Sequence, residues 1–187
     1  MRAMTNSKRA VRFGACVAAS LLIMPAGQAV AGGGGISTGG FVAGDKAKLR
    51  SNGQAVAPAS APWRVKRAIA AANEIEDKPY AHDGGHGSWS GSGYDCSGAV
   101  NYVLGRPGAR LIDSPTLVSG DYAGWGRRGK GNWITVYGNG GHVFAVIAGL
   151  RWDTSNPDRS SGPSWSRDIS YGFNNVSRTA ARHPRRL

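Results

Sequence analysis

Trp133-Ile134-Thr135-Val136-Tyr137-Gly138-Asn139-Gly140-Gly141-His142-Val143-Phe144-Ala145-Val146-Ile147-Ala148-Gly149-Leu150-Arg151-Trp152-Asp153 holds three runs rich in β-branched and aromatic residues, parted first by Gly138-Asn139-Gly140-Gly141 and then by Gly149. Short runs of this composition, bounded by glycine and asparagine, read as strands. Connections this short join antiparallel neighbours, because a parallel pair needs a long crossover. The stretch therefore predicts an antiparallel meander over residues 133–137, 142–148 and 150–153. Two of its residues can exchange a proton: His142 opens the middle strand beside a glycine turn, and Asp153 lies on the strand paired with it.

Upstream, the apolar period changes from two to that of a helix. Asp95-Cys96-Ser97-Gly98 leads into Ala99, Val100, Val103 and Leu104, one apolar face of a helix that Asp95 is placed to cap and that Gly105 and Pro107 stop. Cys96 falls in its first turn. A longer helix precedes it: Pro62 suits a first helical position, and Val65, Ile69, Ala72 and Ile75 recur at helical spacing up to Pro79. Between the helices, residues 80–93 form a loop rich in Gly, Ser and His. Residues 111–131 carry turn residues and little periodicity, so they read as loop with a short helical turn near Leu117. Beyond residue 162, Trp165 and residues 171–176 suggest an edge strand ahead of a basic tail, residues 182–187. Helices first and strands afterwards indicate an α+β fold.

Residues 1–31 read as an export signal: Arg2, Lys8, Arg9 and Arg12 precede an apolar run from Ala15 to Met24, and Ala29-Val30-Ala31 supplies small residues for cleavage after Ala31. The run falls short of the roughly 20 apolar residues of a spanning helix. No transmembrane anchor is expected after processing, and a secreted or wall-associated location is. Residues 32–62 are rich in Gly, Ala, Ser and Pro and read as a linker, with a weak hairpin around Asn52-Gly53. Residues 63–187 read as one domain. The chain carries a net charge of +12, and losing the four basic and no acidic residues of the signal leaves +8. Such a field favours polyanions. Export makes anionic cell-wall polymer the partner expected at the basic surface. Nucleic acid is not expected, since no dense Lys/Arg run with interleaved aromatics is present.

Export also sharpens the meaning of Cys96, because Cys16 leaves with the signal and no second cysteine remains. Cys96 is then either a small buried residue or a reactive thiol. The start of a helix favours the second, since unpaired backbone amides there stabilise a thiolate. Its base must accept a proton near neutral pH, which histidine does without special tuning. His82 and His86 lie in the glycine-rich loop and His183 in the basic tail, which leaves His142 as the histidine on a rigid element. Asp153 is the candidate third member, a carboxylate that holds the useful tautomer of the ring. His82 and His86, four apart around Asp83, fall short of a zinc site, which wants three or four ligands on a rigid frame. They read as solvated loop histidines, and neither a metal nor a cofactor is expected.

Asp95-Cys96-Ser97-Gly98 opening an apolar helix, then Gly141-His142-Val143 opening a strand, resembles the NlpC-type cell-wall cysteine peptidases of the papain-like clan. The chain looks most like their exported actinobacterial members, in which the segment matching residues 141–155 continues into a terminal Arg-His-Pro, here Arg182-His183-Pro184. The resemblance runs from Trp63 to Asp153 and includes Tyr80 before a glycine-rich turn. It implies a papain-like arrangement, a nucleophile helix packed on an antiparallel sheet, with Cys96 as nucleophile, His142 as base and Asp153 as orienting residue, where family members often carry a second histidine. It further implies that Tyr80, Asp95 and Ser97 contact peptide substrate, Asp95 meeting a free amino group. The plainer roles are helix capping for Asp95 and Ser97 and packing on the first helix for Tyr80. Ala81-His82-Asp83 departs from the family, which usually places an aromatic residue after the tyrosine.

The activity so implied is cleavage of an amide bond in the peptidoglycan stem peptide, of D-glutamyl endopeptidase type, through an acyl-enzyme. An N-acetylmuramoyl-L-alanine amidase would run the same acyl chemistry on another bond. From a different class comes a non-catalytic, basic wall-binding module in which Cys96 is merely buried. Product masses separate the first two, and a thiol silent to alkylation in the folded protein would mark the third.

Overall fold

The computed structural model describes residues 40–159, 161–172 and 179–187. The expected signal, residues 1–31, and the end of the expected edge segment, residues 173–176, lie outside the described residues. Both helices stand where the apolar spacing put them. α1, Trp63–Glu74, buries Val65, Ala68, Ile69, Ala71 and Ala72, and Pro62 is its cap residue rather than its first residue. α2, Cys96–Leu104, is capped by Asp95, whose side chain accepts the Gly98 N–H at 2.7 Å.

The meander is present and extended. β4, Ile134–Gly138, pairs antiparallel with β5, Val143–Ile147, and β5 with β6, Leu150–Asp153. β7, Ser164–Ser166, continues it along β6. The β5–β6 connection is Ala148-Gly149, both at positive φ (47° and 86°), the handedness that suits the twist of a tight hairpin. The Trp133 carbonyl receives the Ala148 N–H at 2.7 Å, which holds this non-glycine residue in its unusual conformation.

Two readings of the chain are corrected here. Residues 182–187 are not simply a tail: β8, Ala180–His183, inserts between β4 and β3, Arg127–Arg128, giving the sheet order β3-β8-β4-β5-β6-β7. Arg182 of β8 lies opposite Val136 of β4 on one side and Arg128 of β3 on the other, and backbone pairing of this kind leaves no mark in an apolar pattern. Nor are residues 42–61 a free linker. β1, Lys48–Leu49, and β2, Ala55–Val56, form the expected hairpin. Ala47, Ala55, Val56, Ala57 and Ala61 are buried, and the Ala47 N–H donates to the Ala148 carbonyl at 2.8 Å. Small alanines allow the close approach that composition alone reads as flexibility.

The described residues thus form an α+β fold with two α-helices and antiparallel sheets. Val65, Ala68 and Ile69 of α1, Val100, Val103 and Leu104 of α2, and Val136, Val143, Ala145, Ile147 and Trp152 of the sheet make one core. Each fully buried aliphatic contributes about 1.5–3 kcal/mol. Trp152 ties the layers together, its Nε1 donating to the Ala99 carbonyl at 3.3 Å. Among the described residues no helix is long and apolar enough to cross a membrane.

Candidate active site

Cys96 owes its position to glycine. A Cβ on Gly98 would lie 1.9 Å from the Gly84 carbonyl oxygen, and the Gly98 backbone packs against Gly85, whose φ is +82°. Only bare backbone lets the 82–85 turn lie against the first turn of α2. The Asp95 N–H donates to the Gly84 carbonyl at 3.1 Å, which locks the two segments. Cys96, partly exposed and without a disulfide partner, is thereby held at the helix start beside the turn.

His142 is held by a different device. The Asn139 side chain accepts the N–H groups of Gly141 (2.8 Å) and His142 (2.9 Å), knotting the turn so that the ring leaves it at the end of β5. There Nε2 meets Asp153 Oδ1 at 2.8 Å, with Ser155 Oγ at 3.3 Å. The same ring is within interaction range of Cys96, which helps to raise its basicity. Since Nε2 is engaged by Asp153, Nδ1 is the nitrogen left for the sulfur. Burial alone would lower the pKa of His142. The hydrogen bond to Asp153, the interaction with Cys96 and the negative charge of each outweigh it and raise the pKa to about 9.

Behind Asp153 stands Arg151. The strand period of two puts both side chains on one face of β6. Arg151 grips Asp153 Oδ2 through Nε (2.9 Å) and a second guanidinium nitrogen (2.5 Å). Its own plane lies 3.6 Å from the ring centres of both Phe144 and Tyr171, and it donates to the Tyr171 carbonyl. The Asp153 side chain is fully buried and that of Arg151 nearly so. Burial would raise the Asp153 pKa, but the hydrogen bond and charge of His142 and those of Arg151 hold it below the ordinary 3.8. A pocket of about 400 Å³ opens beside His142, lined by Phe144, Arg151, Ser155 and Tyr171, and Cys96 is not in its wall.

A second imidazole stands on the other side of the helix cap. His86 Nε2 lies 3.1 and 3.2 Å from the two oxygens of Asp95 and 3.2 Å from Ser97 Oγ, which also donates to Asp95 Oδ1 at 3.1 Å. The expectation of a solvated histidine holds for His82, 86 % exposed beside an equally exposed Asp83, and fails for His86. Among the described residues no group of three or more His, Cys, Asp or Glu is arranged to hold a metal ion. Tyr80 is half-exposed and bridges to Tyr94 along the backbone. Burial and the charges of Cys96, Asp95 and Asp83 raise its phenol pKa above 10, which places it in the electrostatic reach of the thiol.

The fold thus brings Cys96, His142 and Asp153 together, and gathers Tyr80, Asp95 and Ser97 beside the thiol. Arg151 and His86 were not foreseen. The one available signal for Arg151 was its spacing of two from Asp153, which is also what chance places on many strands. A scan against protein-family models finds no match to this chain, and neither does a search of the curated proteins or of the solved structures.

Proposed function

We propose that the protein is a secreted, NlpC-type cysteine hydrolase with a papain-like arrangement that cleaves an amide bond in the stem peptide of peptidoglycan. The observation that carries this reading is one imidazole, His142, bonded through Nε2 to a buried, arginine-backed carboxylate and within interaction range of the thiol at a helix start. That is the arrangement nucleophilic catalysis needs, a nucleophile, a base and an orienting group in series.

The chemistry follows from the proton positions. His142 takes the Cys96 proton, and the sulfur attacks the amide carbon. Backbone amides at the start of α2 stabilise the tetrahedral oxyanion. The imidazolium then protonates the leaving nitrogen, the C–N bond breaks and a thioester remains. In the second half His142 removes a proton from water, hydroxide adds to the thioester, and collapse releases the carboxylic acid and the thiol. Asp153 keeps Nδ1 aimed at the sulfur throughout, and Arg151 keeps Asp153 ionised.

The basic surface fits a polyanionic wall. Arg64, Arg110, Arg185 and Arg186 line one pocket of about 380 Å³ around Trp125, with Asp113 the sole acidic side chain in its lining. Arginine forks suit phosphate and carboxylate groups. Binding to wall polymer is expected to weaken as salt rises.

The test is mass spectrometry of purified peptidoglycan fragments incubated with the processed chain, residues 32–187, beside its Cys96→Ala variant. Cleavage by the parent alone supports the thiol hydrolase, and the fragment masses name the bond, whether within the stem peptide or at the sugar-peptide amide. Cleavage by both variants removes Cys96 from the reaction. Binding without cleavage by either points to the wall-binding module.

A further inference from the structure

Asp95 is the carboxylate next to the nucleophile in sequence, and an anion there attracts a substrate cation. Its carboxylate is, however, already engaged on one oxygen and covered at the other. A carboxylate offers about four lone-pair sites. The Gly98 N–H (2.7 Å), the Ser97 hydroxyl (3.1 Å) and His86 Nε2 (3.1 Å) converge on Oδ1, and the same His86 nitrogen lies 3.2 Å from Oδ2. Asp95 is 13 % exposed at its side chain and Ser97 is buried, so His86 covers what it binds. The placement is built into the backbone. On one side of His86 the Gly84 carbonyl accepts the Asp95 N–H, and on the other the Gly87 N–H donates to the Pro115 carbonyl at 3.1 Å. The glycine contact brings the 82–85 turn against the first turn of α2, so the loop that carries His86 rests on the helix that carries Asp95's partners.

We infer that His86 closes the Asp95 subsite to ammonium groups, so that the position beside Cys96 accepts an acyl donor presenting an uncharged group, such as an acylated amine with its amide N–H, rather than a free amino terminus. The inference rests on the hydrolase reading above and departs from the role that the family resemblance implies for Asp95. His86 Nδ1, which has no hydrogen-bond partner among the described residues, is left to accept from a substrate amide N–H, because Nε2 carries the proton shared with Asp95. An incoming ammonium would have to displace the imidazole and break its contacts to Asp95 and Ser97 together.

The experiment compares one stem-peptide fragment carrying a free amino terminus with the same fragment acetylated there. Binding to the Cys96→Ala protein is read by calorimetry, and turnover by the parent as kcat and KM. The parent is expected to favour the acetylated fragment by about tenfold or more in Kd and in KM. In His86→Ala the preference should invert, through KM rather than kcat. His86→Gln, whose amide still donates to Asp95, should keep the parent's preference, so a change common to both variants would report disruption of the loop and overturn the assignment. Equal binding of the two fragments overturns it as well, while cleavage of wall by the parent would leave the hydrolase standing. If neither fragment binds and the wall stays uncut, both readings fall.

Discussion

Two imidazole–carboxylate pairs flank the same thiol, and they are built differently. His142 and Asp153 meet at 2.8 Å, and the far oxygen of Asp153 is gripped by a buried guanidinium. His86 and Asp95 meet at 3.1 Å, and the carboxylate is shared with a helix N-terminus and a serine hydroxyl. In the first pair the carboxylate is anchored from behind and one ring nitrogen is free to serve the sulfur. In the second the carboxylate serves the helix and the imidazole covers it. What a histidine beside an aspartate does is therefore decided by what holds the aspartate.

The sharpest way to break this contrast is to remove each ring. His142→Ala should lower kcat by about 10²–10⁴-fold, the worth of a positioned acid–base group, with peptidoglycan digestion as the readout. His86→Ala should act on KM and on substrate preference. A kcat loss of equal size in both variants would erase the distinction.

Arg151→Met tests the anchoring. Removing one partner of a buried ion pair costs about 3–5 kcal/mol, because the other charge is left unpaired. Losing the His86 contacts to the Asp95 carboxylate and Ser97 should cost less, about 1.5–3 kcal/mol. Urea unfolding of the two variants compares these, and similar midpoints would contradict the burial difference.

Gly98→Ala probes the backbone contact beneath the second pair. The added methyl would strike the Gly84 carbonyl oxygen, and such overpacking costs about 1–3 kcal/mol despite alanine's better helix propensity. Thermal unfolding checks it, and a rise in Tm would mean that the turn does not rest on the helix.

The smallest effect is on pH dependence. The His142 pKa is raised in the folded state, so its contribution to stability is complete below about 6.5, declines above it and is gone above about 9. The Asp153 pKa is depressed, so its contribution is present above 3.8 and lost as pH falls through the folded value. The alkaline limb of kcat/KM should lie near 9. Asp153→Asn removes a hydrogen bond and a charge that hold the His142 proton, and the limb should move to lower pH. An unmoved limb would separate Asp153 from the titration.

The meander and both helices were legible because they bury one face and so leave a periodic apolar mark: residues 150–153 and the helix from Cys96 to Leu104 were read at their observed bounds. Cys96 and His142 were legible because chemistry restricts their types. Asp153 followed from strand pairing. The two features that distinguish the site, Arg151 behind Asp153 and His86 over Asp95, depend on what lies opposite a side chain in space. His86 looked solvated because its loop is glycine-rich, and those same glycines are what let the loop reach α2. β8 escaped because Ala180-Ala181-Arg182-His183 carries no apolar alternation, and its place in the sheet comes from backbone pairing to β4.

The short β3 has a further consequence. It borders the six-stranded sheet, yet it is two residues long and both are exposed arginines. An open sheet margin is a template on which a second chain can add a strand, the first step toward aggregation. Here an approaching strand would find almost no backbone to extend and two like charges repelling an equally basic copy of itself. Under the proposed function, the charge that favours an anionic polymer would also oppose sticking between molecules crowded on it.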